Sequence, residues 1–293
     1  MIADMKFKAD FLLLLAAAIW GFAFVAQRVG MDYVGPFTFN GVRFALGSLS
    51  LVPLIYVYKR NSLNTSSNST KPIHGWRVGL LAGFILFIAV TFQQIGLIYT
   101  TAGKAAFVTC LYIVFVPIAG IYLKQRITIG TWCGCLLTIA GLYFLCIKEG
   151  FTILCGDLLE LIGACFWTVH ILLIDHFSRK IDTLQLAFFQ FATCSVLSLI
   201  TALWLETITI DGILQAIMPI LYGGFCSVGI AYTLQIVGQK YAEPSHAAII
   251  LSMETVFAVI GGYFLLNEVL GLRELLGCGL MMTGMLLSQL QMK

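Results

Sequence analysis

The chain has 293 residues, of which 60% are hydrophobic and 11% are charged, and its mean hydropathy is +0.96. Soluble globular domains carry roughly 25% charged residues, so this composition excludes a soluble protein and predicts one embedded in a lipid bilayer. The net charge of +3 does not indicate nucleic acid as a partner, because the basic residues are scattered along the chain.

Apolar segments of spanning length follow one another along the whole chain. A transmembrane helix needs about 20 mainly apolar residues, and ten segments meet this criterion. They are residues 10–29, 36–58, 76–99, 104–123, 129–147, 154–177, 183–204, 212–238, 245–266 and 271–290. Most connections between them are short, which favours antiparallel neighbours in a bundle. The sequence therefore predicts an all-α integral membrane protein with ten transmembrane helices.

Lysine and arginine are unequally distributed between the two sides of this arrangement. If the amino terminus is inside, the inner loops and helix ends hold twelve basic residues and the outer ends hold four. Because cytoplasmic loops carry the excess of basic residues, we expect both termini to be cytoplasmic. The expected location is the plasma membrane or the inner membrane.

One stretch of the chain occurs twice. Residues 10–20 and 157–167 each place an aspartate ten residues before a tryptophan, and the two copies are 147 residues apart. Such self-similarity indicates duplication, and it divides the chain into two five-helix repeats, residues 1–148 and 149–293. Further matches are Ala105-Ala106 with Ala247-Ala248 at an offset of 142, and Gly134 and Gly141 with Gly277 and Gly284 at an offset of 143.

Five spans in each repeat is an odd number, which has a topological consequence. The second repeat must begin on the opposite side of the membrane from the first, so two repeats of one fold are inverted with respect to each other. Inverted repeats are typical of secondary transporters, whose substrate site lies near the middle of the membrane between the repeats.

Several segments together resemble the EamA-type, ten-helix branch of the drug/metabolite transporter superfamily. The matching segments are residues 17–21, Arg43, and residues 94–102, 251–258 and 265–268. Two positions depart from the family's pattern, since Thr255 stands where proline is frequent and Arg126 where glutamate is frequent. The resemblance implies that spans 1, 3, 4, 6, 8 and 9 surround a cavity and that spans 5 and 10 are peripheral. It also implies export of amino acids or related metabolites.

Glu254 lies near the middle of the ninth segment, where an ionisable side chain costs about 2.5–3.5 kcal/mol on insertion scales. Such residues face the bundle interior and are candidates for function, although a purely structural carboxylate is an equal alternative. Because burial favours the neutral form of a carboxyl group, proton coupling through Glu254 is a hypothesis. Arg43 is a candidate charge partner for a buried carboxylate or an anionic solute. Its alternative role is to extend toward the outer interface.

Aromatic and amide side chains complete the predicted substrate cavity. Trp20 and Trp167 occupy matching positions, where their rings would enclose an organic solute or serve helix packing. For His170 the alternatives are a proton relay and a buried, hydrogen-bonded histidine. Glu160 lies near a predicted helix start, where an acidic side chain complements the helix dipole. The other predicted cavity residues are Gln93, Gln94, Tyr112, Tyr232 and Gln235.

The sequence offers no arrangement of residues for catalysis. It contains no nucleophile–base pair, no metal-ligand spacing and no Gly-rich phosphate loop, so we expect neither an enzyme nor a metal or other cofactor. The predicted function is export of a small organic metabolite such as an amino acid, by alternating access. The few fixed charges predict a zwitterionic or neutral solute. A non-transporting membrane sensor or scaffold stays open, because no residue pattern excludes it.

Overall fold

The computed structural model describes residues 2–62, 75–99, 102–124, 127–146, 155–266 and 271–290. The helices of the amino-terminal part are α1 (Ile2–Gly30), α2 (Pro36–Ser62), α3 (Gly75–Tyr99), α4 (Ala102–Thr109), α5 (Tyr112–Tyr122) and α6 (Ile129–Cys146). Those of the carboxy-terminal part are α7 (Cys155–Ser178), α8 (Thr183–Leu205), α9 (Ile210–Gln215), α10 (Ile217–Leu221), the π-helix π1 (Tyr222–Tyr232), α11 (Thr233–Gln239), α12 (Pro244–Leu251), α13 (Glu254–Leu266) and α14 (Leu272–Leu290). No strand occurs within these ranges, so the predicted all-α class is confirmed.

Seven helical stretches in the described part of the chain are long and apolar enough to cross a membrane. They are Met5–Gly30, Pro36–Val57, Gly75–Tyr99, Cys155–Ser178, Thr183–Leu205, Ile217–Gln239 and Pro244–Leu265. The other three predicted spans contain the shorter apolar helices Tyr112–Tyr122, Ile129–Phe144 and Leu275–Ser288. The count of ten transmembrane helices therefore stays a prediction.

The distribution of side chains is that of a protein whose solvent is lipid. Large apolar residues project outward, among them Leu203, Trp204 and Phe264, each more than two thirds exposed. Polar side chains such as Glu160 and Gln190 are completely buried. Inside a bilayer the backbone groups are satisfied within the helices, and polar side chains face the bundle interior.

Helices α6 and α14 pack closely through glycines and run antiparallel. A Cβ atom at Gly134 would lie 2.8 Å from the carbonyl oxygen of Gly284. A Cβ atom at Gly141 would lie 2.6 Å from the carbonyl oxygen of Gly277. Small residues of this kind let membrane helices approach until their backbones touch. The four glycines that match in the sequence thus contact one another crosswise in the fold.

Two polar clusters join distant helix ends. The Glu206 carboxylate, just after α8, accepts hydrogen bonds from the backbone N–H groups of residues 37–38 at distances of 2.7 and 2.8 Å. These donors belong to the first turn of α2 and have no partner inside the helix. His246 of α12 contacts Asp10 of α1 and Ser288 of α14, each at 3.0 Å. The two clusters stabilise the positions of α1, α2 and α12 around the centre of the bundle.

The packing of the central helices repeats between the two parts of the chain. Helix α1 packs against π1, α11 and α13, while α7 packs against α3 and α4. Helix α2 packs against α8, and α6 against α14. In addition, α3 contacts α8 and π1 contacts α2. This arrangement places α1, α3, α7 and π1 at the centre, with α6 and α14 paired at one side.

Candidate functional site

A small cavity, with about 40 Å³ of space for water-sized molecules, lies between helices from both parts of the chain. Ten helices contribute to its wall, whereas α6, α8, α9, α10 and α14 supply no lining residue. The lining residues are Trp20, Phe24, Gln27, Arg43, Gln93, Thr109, Tyr112, Trp167, Ile171, Ser227, Tyr232, Gln235, Leu251 and Glu254. Seven of the fourteen lining residues are aromatic or aliphatic and the other seven are polar or charged, so the wall offers both apolar contact and hydrogen bonding to a small molecule.

Most of the side chains predicted from the sequence to bind a solute meet in this one cavity. The predicted residues that line it are Trp20, Arg43, Gln93, Tyr112, Trp167, Tyr232, Gln235 and Glu254. Gln94 and His170, which were also predicted to line a cavity, do not line this one. The residues that line it without having been predicted include Gln27, Thr109 and Ser227.

Two helix breaks face each other beside the cavity. The first, at residues 110–111, separates α4 from α5, and the second, at residues 252–253, separates α12 from α13. They lie at matching positions, because the offset of 142 is the one that relates Ala105 to Ala247. The Cys110 thiol is 4.0 Å from the Ser252 carbonyl oxygen. Paired discontinuous helices at corresponding positions are the usual location of a transporter's binding site.

The two breaks have the same backbone hydrogen bonds. At the first, the Leu111 N–H donates to the Val108 carbonyl over 3.1 Å. At the second, the Met253 N–H donates to the Ile250 carbonyl over 3.1 Å. These bonds span three residues rather than four, which is the tighter 3₁₀ geometry. The sequence predicted spans over 104–123 and 245–266, and the structure adds that each contains such a turn, with neither glycine nor proline at the break.

Glu254 is the first residue of α13, directly after the second break. Its Oε1 accepts a hydrogen bond from the Tyr112 hydroxyl at 3.3 Å and lies 3.5 Å from the Cys110 thiol. Within the described ranges, no side chain donates to Oε2. The carboxyl group is therefore held through Oε1 at the cavity wall.

Three aromatic rings form one wall of the cavity. The Trp20 and Tyr232 rings lie 4.7 Å apart, and the Trp167 ring is stacked on Tyr232 at 6.1 Å. Each indole N–H is fixed by a helix from the other part of the chain. Trp20 Nε1 donates to the Ser227 carbonyl over 3.2 Å, and Trp167 Nε1 donates to Gln93 Oε1 over 2.9 Å. These hydrogen bonds hold the indole rings in place, so the wall is preformed.

Arg43 of α2 supplies the positive charge of the cavity. Its side chain is buried, and Nε donates to Asn40 Oδ1 over 3.0 Å. The guanidinium carbon lies 5.1 Å from the centre of the Phe44 ring and 5.4 Å from that of Phe39. No carboxylate of the described residues lies within ion-pair distance of it. Of the two alternatives for Arg43, extension to the outer interface is thus wrong, because the side chain is enclosed in the bundle.

Gln94 and His170 are both completely buried but lie outside the cavity wall. The His170 ring contacts Gln190 Oε1 through Nε2 at 3.1 Å. It also lies edge-on to Trp167, with ring centres 5.9 Å apart. This is the buried, hydrogen-bonded histidine that the sequence left as an alternative to a proton relay. Neither amide atom of Gln94 has a hydrogen-bond partner among the described residues.

Glu160 is a buried acid that the sequence placed at a helix start. The structure places it inside the bundle, with its carboxylate packed against Gly96 and completely buried. The cavity residue Thr109 donates a hydrogen bond to Glu160 Oε2 over 2.7 Å. The dipole interpretation is thus incomplete, because Glu160 also positions a hydroxyl of the cavity wall.

Comparison with known proteins identifies the family. The model of the EamA-like transporter family matches residues 7–147 and again residues 154–290. An uncharacterized transporter of Archaeoglobus fulgidus is 33% identical over 98% of this chain and 87% of its own length. The uncharacterized transporter YoaV of Bacillus subtilis is 23% identical over 90% of this chain and 92% of its own length.

The fold also has a counterpart among solved structures. A protein of known crystal structure superimposes with a TM-score of 0.79 over 96% of both chains, at 19% sequence identity. At that identity the likeness concerns the fold alone. The relatives and the family model agree in naming transporters and in covering nearly the whole chain. The chain therefore belongs to the EamA-like transporter family of the drug/metabolite transporter superfamily, and it is a multi-pass membrane protein.

Proposed function

We propose that the protein is a secondary carrier that exports a small organic metabolite such as an amino acid. It works by alternating access, with the cavity exposed in turn to each side of the membrane. The moving parts are two inverted five-helix repeats, residues 1–148 and 149–293, with both termini in the cytoplasm. The observation that carries this proposal is an aromatic-lined cavity beside two matching helix breaks, one from each repeat.

The glycine contacts between α6 and α14 support the inverted arrangement. Gly134 meets Gly284 and Gly141 meets Gly277, while the sequence matches Gly134 to Gly277 and Gly141 to Gly284. Reciprocal contact between equivalent positions is the pattern that a two-fold axis produces. A two-fold axis that relates two antiparallel membrane helices would lie in the membrane plane, which is the geometry of inverted-repeat transporters.

The contacts across the cavity support alternating access. Helix breaks let half-helices tilt separately, and the aromatic wall holds each repeat against the other through the Trp20 and Trp167 hydrogen bonds. A solute that replaces such contacts shifts the balance between two conformations by its differential affinity for them. Proton coupling is part of the proposal, with Glu254 as the carrier of the proton.

The test is solute flux into proteoliposomes that contain the purified protein, with labelled amino acids and nucleobases, with and without a pH difference across the membrane. A carrier gives saturable flux of one solute class, and proton coupling makes that flux depend on the pH difference. Absence of flux for every solute, from protein shown to be folded, would overturn the carrier and favour a non-transporting sensor or scaffold.

A further inference from the structure

The second part of the chain has one residue more than the first in the stretch that forms π1. Residues 83–84 of α3 match residues 224–225 at an offset of 141, whereas residues 88–89 match residues 230–231 at an offset of 142. One residue among 226–229 therefore has no counterpart in α3. An α-helix closes its hydrogen bonds over four residues and a π-helix over five, so a π-helix accommodates the added residue.

Glycine contacts in the fold locate the added residue at the same place. Each of the two stretches has one glycine before it and one after it, and each glycine packs against a matching residue of a neighbouring helix. The pairs are Gly83 with the Gln190 carbonyl oxygen, Gly224 with the Arg43 carbonyl oxygen, Gly96 with the Glu160 carboxylate and Gly238 with Leu13. The two glycines are 13 residues apart in α3 and 14 residues apart across π1 and α11. Since α3 covers this interval as an α-helix, the π geometry comes from the added residue.

The two duplicated tryptophans have different hydrogen-bond acceptors. Trp167 donates to Gln93 Oε1 over 2.9 Å. The matching acceptor for Trp20 is Gln235, but Trp20 donates instead to the backbone carbonyl of Ser227 in π1 over 3.2 Å. Gln235 is 1% exposed, and its Oε1 has no partner among the described residues. A buried acceptor without a donor is costly, so the arrangement around Trp20 is the less satisfied of the two.

We propose that the residue added to π1 presents the Ser227 carbonyl to the Trp20 indole and thereby positions this ring in the cavity wall, away from Gln235. Tyr232, the last residue of π1, contacts the same indole with ring centres 4.7 Å apart. A π-helix that leaves a polar group unsatisfied is typical of a functional site. The consequence for transport rests on the proposed carrier function: Trp20 exchanges acceptors during the cycle, whereas Trp167 does not.

The first test compares the thermal unfolding of two matched substitutions. Gln93→Leu leaves the Trp167 indole without an acceptor, so it should lower the melting temperature by about 2–4 °C, the loss expected for one hydrogen bond. Gln235→Leu removes a side chain that makes no hydrogen bond within the described ranges, so the melting temperature should stay the same or rise. Equal losses in the two variants would overturn the inference.

The second test is deletion of Gly229, which removes the added residue without removing a side chain. The deletion should convert π1 into an α-helix, and the protein should fold because α3 spans the equivalent glycine contacts with one residue fewer. Trp20 should then donate to Gln235. In this background Gln235→Leu should therefore lower the melting temperature by about 2–4 °C. Deletion of Ile88 from α3 is the matched control, and it should abolish folding because α3 has no added residue.

The indole N–H resonances of tryptophan-labelled protein in detergent micelles report the acceptors directly. The signals of Trp20 and Trp167, assigned through Trp20→Phe and Trp167→Phe, should differ in the wild type. Deletion of Gly229 should move the Trp20 signal toward that of Trp167 and leave the Trp167 signal in place. A Trp20 signal that the deletion does not move, or a deletion variant that does not fold, would contradict the inference.

Solute flux separates this inference from the carrier proposal. With the labelled amino acids and nucleobases, the folded Gly229 deletion variant should lose about tenfold or more of the wild-type flux, because the Trp20 ring is displaced in the cavity wall. Wild-type flux in that variant would overturn the role of π1 in transport and leave a carrier in place. If the wild type transports none of these solutes, the carrier proposal fails, while the unfolding and resonance measurements still decide which acceptor Trp20 uses.

Discussion

Helices α1 and α13 approach each other closely at Gly21. Replacing Gly21 with a larger residue should therefore displace α13 and alter the cavity that it lines. A Cβ atom at residue 21 would lie 2.5 Å from Phe257 Cβ, 2.6 Å from the Glu254 carbonyl oxygen and 2.7 Å from the Ala258 nitrogen. None of these atoms can rotate away. Ordinary contact needs about 3.5–4.0 Å, so Gly21→Ala forces the two helices apart by about 1 Å.

The expected cost is the balance of two effects. Overpacking a tight contact costs about 1–3 kcal/mol, whereas alanine is favoured over glycine inside a helix by about 1 kcal/mol. The net destabilisation is thus about 0–2 kcal/mol, which lowers the melting temperature by a few degrees at about 2–4 °C per kcal/mol. Solute flux should fall more strongly than this small loss of stability alone explains, because a displacement of about 1 Å at a functional group has cost enzymes about 100-fold in rate. Glu254 begins the helix that is displaced.

The assay compares Gly21→Ala with Gly279→Ala in thermal unfolding and in solute flux. A Cβ atom at Gly279 meets nothing within 4 Å, so this substitution gains helix propensity without any clash. Gly279→Ala is expected to unfold at or slightly above the wild-type temperature with unchanged flux. If Gly21→Ala matched Gly279→Ala in both measurements, the contact between α1 and α13 would not constrain the cavity, and the reasoning would be refuted.

Three further substitutions have defined outcomes. Glu254→Gln cannot release a proton, so flux of a proton-coupled carrier should lose its dependence on a pH difference, measured in proteoliposomes. His246→Ala removes both hydrogen bonds of the ring and should lower the free energy of unfolding by about 1–3 kcal/mol, measured by thermal unfolding. Glu206→Ala leaves the first N–H groups of α2 without their acceptor and should cost about 0.5–2 kcal/mol in the same assay.

Each of these variants has a control on the exposed surface. Asp211→Asn removes an exposed carboxylate that does not line the cavity, and it should keep the pH dependence of flux that Glu254→Gln loses. His176→Ala and Glu243→Ala change an exposed histidine and an exposed glutamate that makes no capping hydrogen bond. A pH-dependent flux in Glu254→Gln would remove the proton hypothesis. Wild-type stability in His246→Ala or Glu206→Ala would show that the corresponding cluster is dispensable.

The sequence was most informative at positions where burial in lipid carries a high free-energy cost for the residue type found there. Glu254 and Arg43 are conspicuous because charges are rare in membrane helices and face the interior there. Trp20 and Trp167 were found because duplication marked both positions, and the structure places both rings on the same Tyr232. Residue type and internal duplication together therefore identified most of the residues predicted for the cavity from the sequence alone.

The sequence was least informative about side-chain direction and helix breaks. Gln93 and Gln94 are adjacent, and helical geometry turns successive side chains about 100° apart, so only packing decides that Gln93 faces the cavity. His170 has the right spacing from Trp167 but contacts Gln190 instead. The breaks at residues 110–111 and 252–253 contain neither glycine nor proline. Their cause is a change in backbone hydrogen bonding, which local composition does not reveal.

The most direct test of the central claim is counterflow in proteoliposomes. Vesicles loaded with an unlabelled amino acid are diluted into buffer with a trace of the labelled form, and uptake is followed over time. A carrier that alternates around one cavity predicts transient accumulation of label above its equilibrium level, and Arg43→Gln should abolish it. Label that only equilibrates would indicate a channel, and label that never enters would contradict transport altogether.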